Sequence, residues 1–189
     1  MKLIRFGEFG KEKPGVIIEG KRYDASGFGE DYNEQFFEND GLTRLAAWLE
    51  SNQGTLVEVA EDVRLGSCVA RPSKIVCIGL NFADHARETG AAIPQEPIIF
   101  FKSTTALSGP NDDIIIPRNS VKTDWEVELA VIISKKGKYV AKEDAMDYVF
   151  GYTVINDISA RDCRREGQWI VSKGQDTFAP MGPFLVTKD

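Results

Sequence analysis

The stretch Thr123-Asp124-Trp125-Glu126-Val127-Glu128-Leu129-Ala130-Val131-Ile132-Ile133 places two carboxylates inside a segment otherwise composed as a β-strand. Successive strand side chains point to opposite faces, so Trp125, Val127 and Leu129 share one side and Glu126 and Glu128 share the other. That spacing puts the two acids about 6.5 to 7 Å apart at their Cα atoms. Like charges on a strand continuing as Ala130-Val131-Ile132-Ile133 repel one another and resist desolvation unless a cation or hydrogen-bond donors face them. A divalent ion satisfies both demands. The competing reading is a solvated sheet face with alternating charge, which is the commoner reading of an isolated Glu-x-Glu because such charge is common on half-exposed strands.

Asp157 adds a third carboxylate. It follows Val149-Phe150-Gly151-Tyr152-Thr153-Val154-Ile155-Asn156, an apolar run that predicts a strand. Three carboxylates offer only oxygen, a donor set suited to Mg²⁺, Mn²⁺ or Ca²⁺ rather than to zinc. Against this, Asp157 could simply cap a helix beginning at Ile158.

The only histidine, His85, lies in Asp84-His85-Ala86-Arg87-Glu88. On a helix His85 and Glu88 are neighbours at i and i+3, and a carboxylate beside an imidazole makes a base able to take a proton from water near neutral pH. An ordinary surface helical turn has the same spacing. Lys173 heads the Gly- and Pro-rich stretch Lys173-Gly174-Gln175-Asp176-Thr177-Phe178-Ala179-Pro180-Met181-Gly182-Pro183, where it could neutralise an enolate or carboxylate or could be an exposed lysine on a tight connection.

The surrounding chain reads as α+β and mostly β. Residues 1–70 form a small β-rich module, with a hairpin turning at Glu19-Gly20 and an amphipathic helix carrying Leu42, Leu45, Ala46 and Leu49. Residues 24–40 are an ordered loop with Phe28, Phe36 and Phe37 spread through it. Arg71-Pro72-Ser73 marks the junction to the main domain, residues 71–189. That domain opens with a strand over residues 74–80, expected to be buried on both faces, and a helix over 82–88. Strands follow over 97–102, 114–117 and 184–186, with a helix over 143–148 and partly helical chain over 159–167.

Composition narrows the function. A charged fraction of 28% and a net charge of −6, with no basic cluster beyond Arg161-Asp162-Cys163-Arg164-Arg165, speak against nucleic acid. No apolar run approaches the roughly 20 residues of a membrane span, and Met1-Lys2-Leu3-Ile4-Arg5 lacks a signal-peptide core, so a cytoplasmic location is expected. Three cysteines without a Cys-x-x-Cys pair are expected to be reduced.

Four blocks in order resemble the fumarylacetoacetate hydrolase family. They are residues 78–85, residues 124–131, residues 151–162, and the Lys173 loop with Pro180-Met181-Gly182-Pro183. Residues 1–70 are similar to the small N-terminal domain of bacterial members acting on acylpyruvates and diketo sugar acids. The resemblance implies a mixed β-roll, commonly paired as a homodimer. It implies Mg²⁺, or a related ion such as Mn²⁺ or Ca²⁺, on Glu126, Glu128 and Asp157, catalytic roles for His85, Glu88 and Lys173, and substrate contact by Arg161. Arg164 stands where several members carry glutamine.

The activity it implies is metal-assisted hydrolysis of a carbon-carbon bond in a small 2,4-dioxo acid, an acylpyruvate or diketo-deoxy sugar acid. An oxaloacetate-type decarboxylase or a 2-hydroxyhepta-2,4-diene-1,7-dioate-type isomerase would use the same site, and an inactive metal- or ligand-binding scaffold is a further alternative. Relatives of this family continue well past the position of Asp189. The 189-residue chain is therefore expected to lack their last strands, to be poorly active and to associate.

Overall fold

The computed structural model describes residues 1–188. Its main sheet is built from antiparallel neighbours and runs across both halves of the sequence. Strands β1 (Lys2–Phe6), β2 (Lys13–Ile18) and β3 (Lys21–Asp24) form a meander, extended by the short β4 (Glu58–Val59). The β2–β3 turn is at Glu19-Gly20, as the sequence predicts, with φ of 50° and 83°. Both values are positive, the twist that a two-residue hairpin connection needs.

Beyond β1 the sheet continues through β12 (Ala179–Thr187) and β10 (Val149–Asn156) to β9 (Val127–Ile133). The link is the pairing of Lys2 with Val186 and of Leu3 with Leu185. Residues 1–70 thus join the rest through continuous hydrogen bonding rather than by a linker alone. Strand β7 (Leu107–Ser108) lies parallel to β12.

Helices α1 (Glu34–Glu38) and α2 (Gly41–Asn52) occupy the expected Phe-rich loop and amphipathic segment. Asn33 caps α1 by accepting from the Phe36 N–H, and Phe36 and Phe37 turn inward. Phe37 lies 4.6 Å from Phe150 of β10, ring centre to ring centre. The N-terminal helices and the later strands therefore share one core, which includes Leu3, Val16, Tyr32, Leu45 and Leu185.

A separate two-stranded ribbon, β5 (Ile75–Gly79) with β6 (Ile98–Lys102), carries helix α3 (Ala83–Thr89) in its connection. The expectation that β5 is buried on both faces does not hold. Ile75 and Cys77 are buried, whereas Val76 and Ile78 on the opposite face are exposed. Residues 114–117 form no strand, and the segment after Ala141 is a 3₁₀ helix, Lys142–Tyr148, rather than an α-helix.

The Glu-x-Glu segment also differs from a single strand. Strand β8 (Thr123–Asp124) pairs with β11 (Ser159–Ala160), the chain leaves strand geometry at Trp125 and Glu126, and β9 resumes on β10. Its covered side mixes acids with the half-buried Ala130 and Ile132, which pack against the core. Glu126 and Glu128 point to the covered side, while Trp125 and Leu129 on the apolar side are 75% and 64% exposed.

Candidate metal centre and catalytic cleft

Antiparallel pairing of β9 with β10 places Glu128 opposite Ile155 and Val127 opposite Asn156. One step further, the Asp157 N–H donates to the Glu126 carbonyl at 2.8 Å. Asn156 Oδ1 also accepts from the Glu126 N–H at 3.1 Å, which pins the backbone where the strand breaks. These contacts bring an acid at the end of β10 against the two acids of the neighbouring strand. Glu126, Glu128 and Asp157 each offer a carboxylate oxygen, and those oxygens all lie within 4.8 Å of one another.

Lysines on two other elements face this cluster. Helix α4 (Ile170–Lys173) ends in Lys173, whose Nζ donates to Glu126 Oε2 at 2.6 Å and to Asp157 Oδ2 at 2.7 Å. The sequence suggested a loop here, and the single helical turn is what aims the lysine inward. The last residue of β6, Lys102, donates to Asp157 Oδ1 at 2.5 Å and to the Ile158 carbonyl at 3.1 Å. Lys102 was not anticipated. Its signal was the alternation Ile98, Phe100, Lys102, which puts a lysine on the inward face of an apolar strand.

Arg161 is the third cation. Its guanidinium reaches Glu126 Oε1 at 2.7 Å and Asp124 Oδ2 at 2.9 Å, so it spans the break between β8 and β9. Asp124 was also absent from the expected site.

The charges act unequally on the acids. Burial pushes the Glu126 carboxyl upward, but Lys173 and Arg161 outweigh it and hold the group below the usual carboxylate range. Glu128 has no such partner; burial first, then the negative charges of Asp157 and Glu126, push it up to about 7. Burial likewise depresses the Lys102 ammonium against the opposing pull of Asp157. A carboxyl raised in this way lacks a positive neighbour, and a cation placed among the three oxygens would supply one. The all-oxygen donor set, its spacing and the destabilised Glu128 therefore fit a hard divalent ion.

The cluster lies in the wall of a cleft of about 1040 Å³. His85 and Glu88 of α3 line the same cleft, as do Arg161, Arg164 and Trp169. Among the described residues no hydrogen bond joins the His85 and Glu88 side chains; what they share is the helix face and the cleft. Trp169 packs 5.0 Å from Phe100, and the Arg164 guanidinium sits 4.3 Å above its ring. The cysteines are free and buried, and burial raises the Cys77 thiol to about 12, which keeps it protonated and unreactive.

The solved structures that this mostly β chain resembles include hydrolases and isomerases. The family model described as fumarylacetoacetate (FAA) hydrolase C-terminal matches residues 74–189. A Burkholderia ambifaria protein with a provisional hydrolase name is 48% identical over 192 residues, a match covering 100% of this chain and 67% of the relative. Among solved structures, maleylpyruvate hydrolase from Sphingobium sp. SYK-6, in complex with manganese(II) and pyruvate, superposes with a TM-score of 0.80 at 29% identity. That match covers 100% of this chain and 68% of the other. The 5-carboxymethyl-2-hydroxymuconate delta-isomerase from Mycobacterium smegmatis gives a TM-score of 0.71 at 30% identity, over 100% of this chain and 67% of that one. The chain belongs to the fumarylacetoacetate hydrolase family, and its fold is the family's mixed β-roll with a small β-rich N-terminal part.

Proposed function

We propose that this chain carries the active site of a metal-dependent hydrolase that cleaves a carbon-carbon bond in a small 2,4-dioxo acid, an acylpyruvate or a diketo-deoxy sugar acid. The observation that carries the reading is the convergence of Glu126, Glu128 and Asp157 with Lys173 in the wall of the cleft that His85 and Glu88 also line. The solved relative that holds manganese and pyruvate supports the ion type and the 2-oxo acid class.

Glu126, Glu128 and Asp157 would hold Mg²⁺, Mn²⁺ or Ca²⁺, and such an ion, when bound, supplies Lewis-acid charge to the oxygens of a 2-oxo acid. Arg161, fixed by Asp124 and Glu126, presents positive charge to the acid's carboxylate. His85, with Glu88 one turn along, takes a proton from water, and the resulting hydroxide attacks the carbonyl distal to the carboxylate. The bond between that carbonyl carbon and the adjacent methylene then breaks. Its electron pair becomes an enolate that the Lys173 ammonium stabilises until a proton is returned to carbon. For an acylpyruvate the balance is one water consumed, with a carboxylic acid and pyruvate as products.

The isomerase among the solved relatives favours a second reading on the same residues, in which an enolate is reprotonated elsewhere without bond cleavage. Product identification after incubation with acylpyruvates, diketo-deoxy sugar acids and oxaloacetate in added Mg²⁺ or Mn²⁺ separates the two. Hydrolysis predicts that His85→Ala lowers kcat by about 10²- to 10⁴-fold with ion binding intact. Glu126→Ala should abolish both ion uptake and turnover. Turnover unchanged in both variants would rule the reading out. A cytoplasmic homodimer is the assembly we propose for this protein.

A further inference from the structure

Asp157 is the most enclosed acid of the cluster, 1% exposed, and its two oxygens are treated differently. Oδ2 faces Glu126 across the Lys173 ammonium, at the cleft wall. Oδ1 points the other way, to Lys102, whose side chain is fully buried. Lys173 lines the cleft and Lys102 does not. The Lys102 ammonium is itself fixed from two sides by Asp157 Oδ1 and the Ile158 carbonyl, and it lies 5.9 Å from the centre of the Phe178 ring. A buried lysine in this position is expensive unless it is paired, and here the pairing reserves one particular oxygen.

We propose that Lys102 is a positioning residue that holds Asp157 Oδ1 out of reach, so that Asp157 serves as a one-oxygen ligand and the centre favours small octahedral ions over Ca²⁺. The inference rests on reading Glu126, Glu128 and Asp157 as a cation site. Its physical basis is the difference between the ions. Mg²⁺ and Mn²⁺ suit near-octahedral shells of single oxygens, whereas Ca²⁺ accepts six to eight ligands and readily takes both oxygens of a carboxylate. Lys102 also ties β6, and with it the ribbon that carries α3, to a residue of the acid cluster. Removing the ammonium frees Oδ1, lets Asp157 rotate to present both oxygens and adds one uncompensated negative charge.

The test is calorimetric titration of Mg²⁺, Mn²⁺ and Ca²⁺ into the chelator-treated 189-residue chain and into Lys102→Met, with circular dichroism to confirm folding. The wild-type chain should bind Mn²⁺ or Mg²⁺ more tightly than Ca²⁺, and Lys102→Met should shift the ratio of affinities toward Ca²⁺ by about tenfold or more. The carboxylate bands in ion-loaded minus ion-free infrared spectra should change from the one-oxygen to the two-oxygen pattern, which a merely structural lysine would not bring about. Lys102→Met with Asp157→Asn buries no unpaired charge and leaves one oxygen on residue 157. It should restore the wild-type order of ions, and it carries the test if the single variant does not fold. An unchanged affinity ratio in folded Lys102→Met, or a double variant that prefers Ca²⁺, overturns the proposal. A wild-type chain that binds none of the three ions overturns the cation-site reading itself, a distinguishable result.

Discussion

Glu128 shows what a single residue contributes to a site like this one. It is the acid without a lysine or arginine, and its carboxyl is raised to about 7 from a usual value near 4.5. In the ion-free chain the folded state therefore holds this proton more tightly than the unfolded state does. Folded stability from this group is fully present below about pH 4.5 and is lost as pH rises through about 7. Glu128→Gln should remove that downward slope between the two values, read by thermal denaturation across the pH range after chelator treatment. A wild-type melting temperature that instead rose steadily from pH 4.5 to 7, with the same profile in the variant, would contradict the assignment. The acids and Lys173 were legible because charge in an apolar strand, or in a glycine-rich connection, is costly enough to need a reason. For Lys102 the alternation of β6 marks only an inward-facing charge, and Asp124 reads as a polar strand start; what each faces follows only from the pairing of distant segments.

At the level of elements, local pattern found most of the pieces, and tertiary context decided their facing. The hairpin at Glu19-Gly20 and helix α2 follow from turn chemistry and from the 3.6-residue period, both properties of a few adjacent residues. Which face of β5 or β9 is covered depends on elements far away in sequence. For β9 the periodicity alone does not choose, because aliphatic residues occupy both faces: Glu128 shares the covered side with Ala130 and Ile132, while Val127, Leu129, Val131 and Ile133 face out. The junction of β5, β6 and α4 is tighter than its sequence suggests. A Cβ added at Gly79 would stand 2.6 Å from the Trp169 ring, and that ring is already held by Phe100 and Arg164. Gly79→Ala should therefore cost about 1 to 3 kcal/mol and displace Trp169 in the cleft wall. Thermal denaturation together with tryptophan emission checks this; an unchanged melting temperature and spectrum would show that the ring yields freely.

For the whole molecule, the main sheet ends at β9, whose outer edge pairs with no other strand among the described residues. One face of that strand presents Val127, Leu129, Val131 and Ile133 to solvent, and the β5–β6 ribbon adds Val76, Ile99 and Phe101. An open strand edge beside contiguous aliphatic surface is a template for association, since pairing satisfies backbone groups and buries apolar area together. The Burkholderia relative is about half as long again as the segment it shares with this chain, so it has polypeptide that this chain does not match. The 189-residue chain alone should therefore bind an apolar-surface dye and scatter light as species larger than a monomer. Replacing Leu129 and Val131 together by lysine should lower dye fluorescence and move the measured mass toward the monomer. The calorimetric response to Mn²⁺ should persist, because both side chains lie on the face opposite Glu128. A wild-type chain that is monodisperse and monomeric and binds no dye would show that this face is stable in water as it stands.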